Sequence, residues 1–317
     1  MPNPTVTPLV VREDVLAARE RIAGRVRRTP VLEPGTGALG LDLPVVLKLE
    51  LLQHTGSFKP RGAFSRMLAA AVPSSGVIAA SGGNFGLAVA FAARELGHAA
   101  EVFVPETSPP VKAERIRAQG AEVRVIPGYY ADALEACERR AADTGALFMH
   151  AYDQPEVVAG QGTIGAELNE QAPGADTVLV AVGGGGLIGG IAAWYAGDVR
   201  VVGVEPEACP TLTQALAAGR PVDAPVGGVA ADSLGPKRAG AIATEIARRH
   251  VDRVLLVPDE AIVEAQRRLW NEVRLIVEPG GAAALAALVS GAYRPERGER
   301  VVVLVCGANA DPASITR

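Results

Sequence analysis

The sequence predicts an α/β protein of two adjoining units, each a mostly parallel sheet flanked by helices, with a cleft where the units meet. Three observations predict it. Short β-branched runs alternate with alanine-rich stretches of helical period along the chain. The alternation falls into two series, each able to form a parallel sheet covered by helices. Glycine-rich loops recur between a strand and the helix after it, where ligands meet the carboxyl ends of parallel strands.

A helix entered at Lys59 and running towards Ala71 opens the order of elements. The first series follows as strand 77–80, helix 85–96, strand 100–104, helix 111–119, strand 123–126 and helix 131–143. The second reads as strand 177–182, helix 188–195, strand 201–204, helix 212–218, strand 253–257 and helix 259–273, ending on strand 301–305. Asp259 is placed to cap the helix it starts, and Gly120 to close the helix before it. No internal repeat, low-complexity tract or disordered linker interrupts the series.

Composition narrows the class. With 49% hydrophobic and 21% charged residues among 317, the chain can bury a sizeable core in one large or two modest domains. The formal charge of -4 is spread in mixed signs without a basic stripe, which argues against a nucleic-acid partner. Cys137, Cys209 and Cys306 are too few and too scattered for a disulfide framework or a zinc site, and fit a reducing, cytoplasmic setting. Residues 1–11 lack the basic and apolar regions of a secretory signal. The long uncharged stretches 67–93 and 177–197 are interrupted by glycine-rich turns, and the first also by Pro73. They read as buried strand, loop and helix, with no membrane span.

Four segments carry chemistry. In Thr55-Gly56-Ser57-Phe58-Lys59-Pro60-Arg61-Gly62-Ala63 a lysine sits just inside a helix start. Positive charge there opposes the macrodipole by about 0.3–1 kcal/mol, and a neutral, imine-forming amine removes the conflict. A solvated lysine is the competing reading, but only four of the 31 basic residues are lysine. Arginine, which supplies the rest, forms no Schiff base.

The second segment, Ser81-Gly82-Gly83-Asn84-Phe85-Gly86, opens a helix after a strand, so its amides can face a carboxylate. A simple tight turn would also use these glycines. The third segment, Gly183-Gly184-Gly185-Gly186-Leu187, has more glycine than a turn needs and can cradle a phosphate. It lacks the dinucleotide fingerprint, although Glu205 lies near the distance expected of a ribose-binding acid, which keeps a nucleotide-dependent oxidoreductase open as a rival class. The fourth segment, Val305-Cys306-Gly307-Ala308-Asn309, ends the last strand and can place the Cys306 thiol in the cleft. A lone buried cysteine is more often a small hydrophobe.

Taken in order, these segments resemble the serine/threonine dehydratase branch of the fold-type II, tryptophan-synthase β-like pyridoxal-phosphate enzymes, over nearly the whole chain. Ala230-Ala231-Asp232-Ser233 and Glu278-Pro279-Gly280-Gly281-Ala282 match further family elements. The resemblance implies a large cofactor-binding domain of residues 1–72 and 151–317 and a small mobile domain of residues 73–150, with the cofactor between them. It implies that Lys59 forms the imine to pyridoxal 5'-phosphate, that Phe58 packs beside the ring and that Asn84 bonds the ring oxygen. Gly183, Gly184, Gly185, Gly186 and Leu187 would bind the phosphate, and Cys306 would face the ring nitrogen as a neutral partner. Ser81, Gly82, Gly83, Asn84 and Phe85 would receive the substrate carboxylate.

The activity implied is dehydration and deamination of a small hydroxy-amino acid. The amino acid displaces Lys59, Lys59 removes the α-proton, the β-hydroxyl leaves with a proton supplied near the phosphate, and 2-oxo acid and ammonia result. A β-replacement enzyme related to cysteine synthase, or a 3-hydroxyaspartate dehydratase, is the alternative within the fold. A homo-oligomer, dimer or tetramer, is expected.

Departures from the family's pattern matter. Gly82 stands where racemases of the branch carry a serine, which favours a dehydratase, and Phe85 stands where histidine is common. A cation, monovalent or divalent, would use Glu205 and the Cys209 carbonyl, but Thr211 replaces the family's aspartate. The chain ends about a dozen residues past the last strand, so no C-terminal regulatory domain of the feedback-inhibited threonine dehydratases is expected.

Overall fold

The computed structural model describes residues 9–315. Most of the segment read for a secretory signal, residues 1–8, lies outside the described residues. The elements run α1 (Arg12–Arg21), β1 (Val31–Leu32), β2 (Val45–Lys48), α2 (Lys59–Leu68), β3 (Val77–Ala80) and α3 (Asn84–Leu96). They continue as β4 (Ala100–Pro105), α4 (Pro110–Arg117), β5 (Glu122–Ile126), α5 (Tyr130–Thr144), β6 (Leu147–Met149) and α6 (Pro155–Gln171). Next come β7 (Thr177–Ala181), α7 (Gly186–Tyr195), β8 (Arg200–Pro206), α8 (Thr211–Ala218), α9 (Ala231–Leu234) and α10 (Ala241–His250). The last elements are β9 (Arg253–Val257), α11 (Asp259–Val273), α12 (Pro279–Val289) and β10 (Val301–Leu304).

Two sheets form. The larger has the order β1-β2-β10-β7-β8-β9, parallel except for β1, which pairs antiparallel with β2. The smaller has the order β5-β4-β3-β6 and is wholly parallel. Interior strands such as β3 (VIAA), β7 (TVLVA) and β10 (VVVL) are buried at every position, as a parallel strand covered on both faces must be. The edge strands β5 and β9 are mostly exposed or half-buried, with Val257 of β9 buried.

The chain leaves β3 towards β4 on one side while β6 flanks β3 on the other. In the larger sheet the run β7-β8-β9 moves away from β10 in the same manner. Each sheet therefore has a switch of direction, and the crevice at the carboxyl ends of the strands there is where a ligand fits.

The helices show how packing overrides local propensity. Helix α6 carries Gly160, Gly162 and Gly165, each costing about 1 kcal/mol relative to alanine. Yet a Cβ at 160 would lie 2.6 Å from the Arg61 carbonyl oxygen and one at 162 would lie 2.7 Å from that of Gly190. Only glycine lets α2, α6 and α7 approach so closely. The Lys59 helix ends at Leu68, short of Ala71. Asp259 is not the cap expected of it: Pro258 is the N-cap of α11, and the Asp259 carboxylate accepts from the Val229 amide at 2.9 Å. Gly120 does close the chain after α4, at φ +90 with its amide donating to the Arg117 carbonyl. The uncharged stretches resolve into strand, loop and helix, and no helix among the described residues is long and apolar enough to cross a membrane.

Candidate active site

The lysine segment leaves β2 and is sewn to the segment that leaves β10. Leu51 N donates to Val305 O at 2.9 Å, Phe58 N to Cys306 O at 3.2 Å and Ala308 N to Gly56 O at 2.8 Å. Thr55, just before, holds φ +61, a left-handed conformation that costs a non-glycine residue about 1–3 kcal/mol and persists where surrounding contacts enforce it.

This stitching sets Lys59 as the first residue of α2. Its Nζ donates to the Ala151 carbonyl at 3.2 Å and lies 5.0 Å from the Phe58 ring centroid and 5.7 Å from that of Phe85. Burial pushes the amine down to about 8 from an ordinary 10.5, against the opposing pull of Cys306 and Glu278. No carboxylate forms an ion pair with it among the described residues. An amine so placed is available as a nucleophile and base near neutral pH.

From the smaller sheet, the loop after β3 brings Ser81 to Asn84 to the same place. Asn84 Nδ2 donates to Glu278 Oε1 at 2.7 Å, and Asn84 Oδ1 accepts from Asn309 Nδ2 at 2.7 Å. Gly83 N donates to Ser81 Oγ at 3.3 Å. The amides of Gly82, Asn84 and Phe85 meet no protein acceptor among the described residues, so the start of α3 offers donors and a positive dipole end to an anion.

The tetraglycine loop follows β7, next to β10 in the sheet. None of the amides from Gly183 to Leu187 meets a protein acceptor among the described residues. A Cβ at 184 would lie 2.4 Å from the Tyr152 ring, and Gly185 adopts φ +90 with a Cβ position 2.6 Å from the Ala243 Cβ. Successive donors without side chains to block them make a phosphate cradle.

Cys306 is buried at the end of β10, with its Sγ 3.5 Å from the Gly280 carbonyl. Burial pushes its thiol up, so it stays a neutral S–H at physiological pH. Lys59, Phe58, Asn84, Phe85 and Cys306 are thus linked into one neighbourhood by direct contacts or a shared partner.

Glu205, which follows Val204 on the strand paired with β7 beside the tetraglycine loop, and the Cys209 carbonyl are engaged by the protein. Glu205 accepts from Leu212 N at 2.6 Å, Thr213 N at 3.0 Å and Thr213 Oγ1 at 2.7 Å, while Thr211 N donates to the Cys209 carbonyl at 2.9 Å. That arrangement caps α8 and leaves the oxidoreductase reading without its ribose-binding acid. Among the described residues no cluster of three or more His, Cys, Asp and Glu side chains could hold a metal ion.

Sequence reasoning missed four contributors. Ala151 and Tyr152 lie between β6 and α6, where the short strand gave no clear period. Glu278 and Asn309 sit inside motifs that were recognised, but their contact with Asn84 depends on three distant stretches meeting. A buried carboxyl beside glycines was the available signal for Glu278.

A family model described as pyridoxal-phosphate dependent enzyme matches residues 22–307. The L-threonine ammonia-lyase of Geobacter sulfurreducens is 40% identical over 304 residues, covering 94% of this chain and 75% of the relative. The phenylserine dehydratase of Ralstonia pickettii is 37% identical over 315 residues, covering 96% of this chain and 94% of the relative. Among solved structures, a T.th. threonine deaminase is similar with a TM-score of 0.87 and 39% identity, covering 95% of this chain and 99% of that one.

Proposed function

The chain belongs to the family of pyridoxal-phosphate dependent enzymes, and we propose that it is a dehydratase converting L-threonine, L-serine or both to 2-oxo acid and ammonia by α,β-elimination of water. Its two parallel sheets with a cleft between them are the fold-type II arrangement. The single observation that carries the reading is Lys59, a half-buried lysine whose amine is pushed down to about 8 by desolvation, beside two anion-binding loops.

The residues present fit pyridoxal phosphate. Five amides from Gly183 to Leu187 lack a protein acceptor and suit a phosphate, and the neutral Cys306 thiol suits the ring nitrogen. When bound, the cofactor supplies an aldehyde carbon for an amine and an aromatic ring that accepts negative charge from Cα. Lys59 would hold it and is placed to take the proton from the substrate Cα. Phe58 would pack beside the ring and Asn84 would bond the ring oxygen. Of the loop expected to take the substrate carboxylate, the Ser81 and Gly83 amides are already used within the protein, so the amides of Gly82, Asn84 and Phe85 would receive it and orient Cα towards Lys59.

A neutral Cys306 thiol at the ring nitrogen would leave the ring a weak electron sink, a setting that suits elimination of a β-hydroxyl. Relatives named for threonine and for phenylserine support a β-hydroxy amino acid as substrate. We assign residues 1–72 and 151–317 to a large domain and residues 73–150 to a small mobile one; the strands of the smaller sheet all fall within the latter. The enzyme acts in the cytoplasm as a homo-oligomer.

The test is release of 2-oxo acid and ammonia by purified, cofactor-loaded protein given L-threonine, L-serine and 3-hydroxyaspartate separately. Equimolar release from threonine or serine is expected. Release from 3-hydroxyaspartate alone would replace the substrate, and no release from any of the three would overturn dehydration.

A further inference from the structure

We propose that Asn309 and Glu278 are positioning residues that lock the Asn84 amide in one orientation, so that its NH2 group alone is presented to the cofactor's ring oxygen. The inference rests on the reading of Asn84 as a cofactor contact.

An asparagine amide is nearly symmetric in shape, so its neighbours decide which end is oxygen. Here the decision starts at a backbone carbonyl, which can only accept. Asn309 Nδ2 donates to the Thr55 carbonyl at 2.8 Å, which fixes the Asn309 amide. The same NH2 group donates to Asn84 Oδ1 at 2.7 Å, which fixes Asn84 in turn. At the other end, Asn84 Nδ2 donates to Glu278 Oε1 at 2.7 Å. A flipped Asn84 would set oxygen against oxygen at Glu278 and NH2 against NH2 at Asn309. One N–H of Asn84 Nδ2 remains, and a ring oxygen facing it can only accept.

The backbone is shaped for this chain of bonds. Glu278 is the N-cap of α12, and its amide donates to the Gly307 carbonyl at 3.1 Å. A Cβ at 307 would fall 2.1 Å from Glu278 Oε1, so glycine there makes room for the carboxyl. Lys59 on α2, Lys112 on α4 and Asp232 on α9 act on Glu278 through their charges, but none pairs with it directly. Its carboxyl keeps an acceptor oxygen for Asn84 whether ionised or protonated.

The experiment is the visible absorption spectrum and the cofactor retention on dialysis of the holoenzyme and its variants. Asn309→Ala and Glu278→Leu should each shift the band and weaken retention about tenfold, the worth of one ordered hydrogen bond. Asn309→Asp keeps the size but places oxygen against Asn84 Oδ1, and should shift the band at least as far. Glu278→Gln keeps an acceptor and should resemble the parent. In an Asn84→Ala background none of these changes should have a further effect. Unchanged bands in folded Asn309→Asp and Glu278→Leu proteins, or effects that persist without Asn84, would overturn the inference. A parent protein without a visible band would instead overturn the cofactor reading beneath it.

Discussion

Lys59 differs from a surface lysine because two phenylalanine rings and a single carbonyl partner surround its amine. Its lowered pKa of about 8 has a kinetic signature, since only the unprotonated amine attacks an aldehyde. Cofactor capture by the apoprotein should therefore rise about tenfold per pH unit below 8 and level off above it, followed by the growth of visible absorbance. A rate still climbing towards pH 10 would mean an ordinary lysine. At Gly184 the prediction is steric. A methyl group there must displace the Tyr152 ring, so Gly184→Ala should lose about 1–3 kcal/mol of stability and bind cofactor more weakly, read by thermal melting and dialysis. Both residues were legible in the sequence because their chemistry is local: a lone lysine at a helix start, four glycines in a row. Tyr152 and Asn309 were not, because their roles arise only when separate strands bring them beside the glycine loop and Asn84.

Among the helices, α2 is held by a buried ionic quartet that no local pattern in the sequence announces. Arg61 donates to both oxygens of Glu50 at 2.8 Å and to Glu167 at 2.7 and 3.0 Å, while Lys48 donates to Glu167 at 2.6 Å. Lys48 and Glu50 come from β2 and the turn after it, Arg61 from α2 and Glu167 from α6. The signs balance, and removing one member strands a buried charge. Arg61→Ala should cost about 3–5 kcal/mol in urea unfolding, whereas an exposed pair such as Arg139 with Glu135 should be worth less than about 1 kcal/mol. Equal effects at the two sites would mean that these charges do not anchor α2. The strands with runs of valine and isoleucine were read close to their true bounds, since a doubly covered parallel strand announces itself by continuous hydrophobicity. Helix α6 escaped notice because its glycines weaken every local helix signal, and the close packing that rescues it is tertiary.

The two units share a buried hydrophobic cluster, in which Phe64 and Met67 of α2 pack with Phe85 and Val89 of α3, and a set of polar and ring contacts adds to it. Asn84 reaches Glu278 and Asn309, Lys112 pairs with Asp232, and the His54 and Phe91 rings stack at 4.9 Å. A cofactor gripped by loops from both sheets should make them unfold together. Saturating pyridoxal phosphate at a hundredfold excess over Kd should add about 2.7 kcal/mol and give one melting transition; a transition that ignores the cofactor would exclude a site shared by both units. All of the proposed chemistry turns on one amine, that of Lys59. Borohydride reduction of the holoenzyme makes any lysine–cofactor bond permanent, and peptide mass analysis then locates the modified residue. The label is expected on Lys59, with loss of turnover in proportion to labelling. A label on Lys48, Lys112 or Lys237, or an unlabelled protein that still releases 2-oxo acid, would place the reaction centre elsewhere.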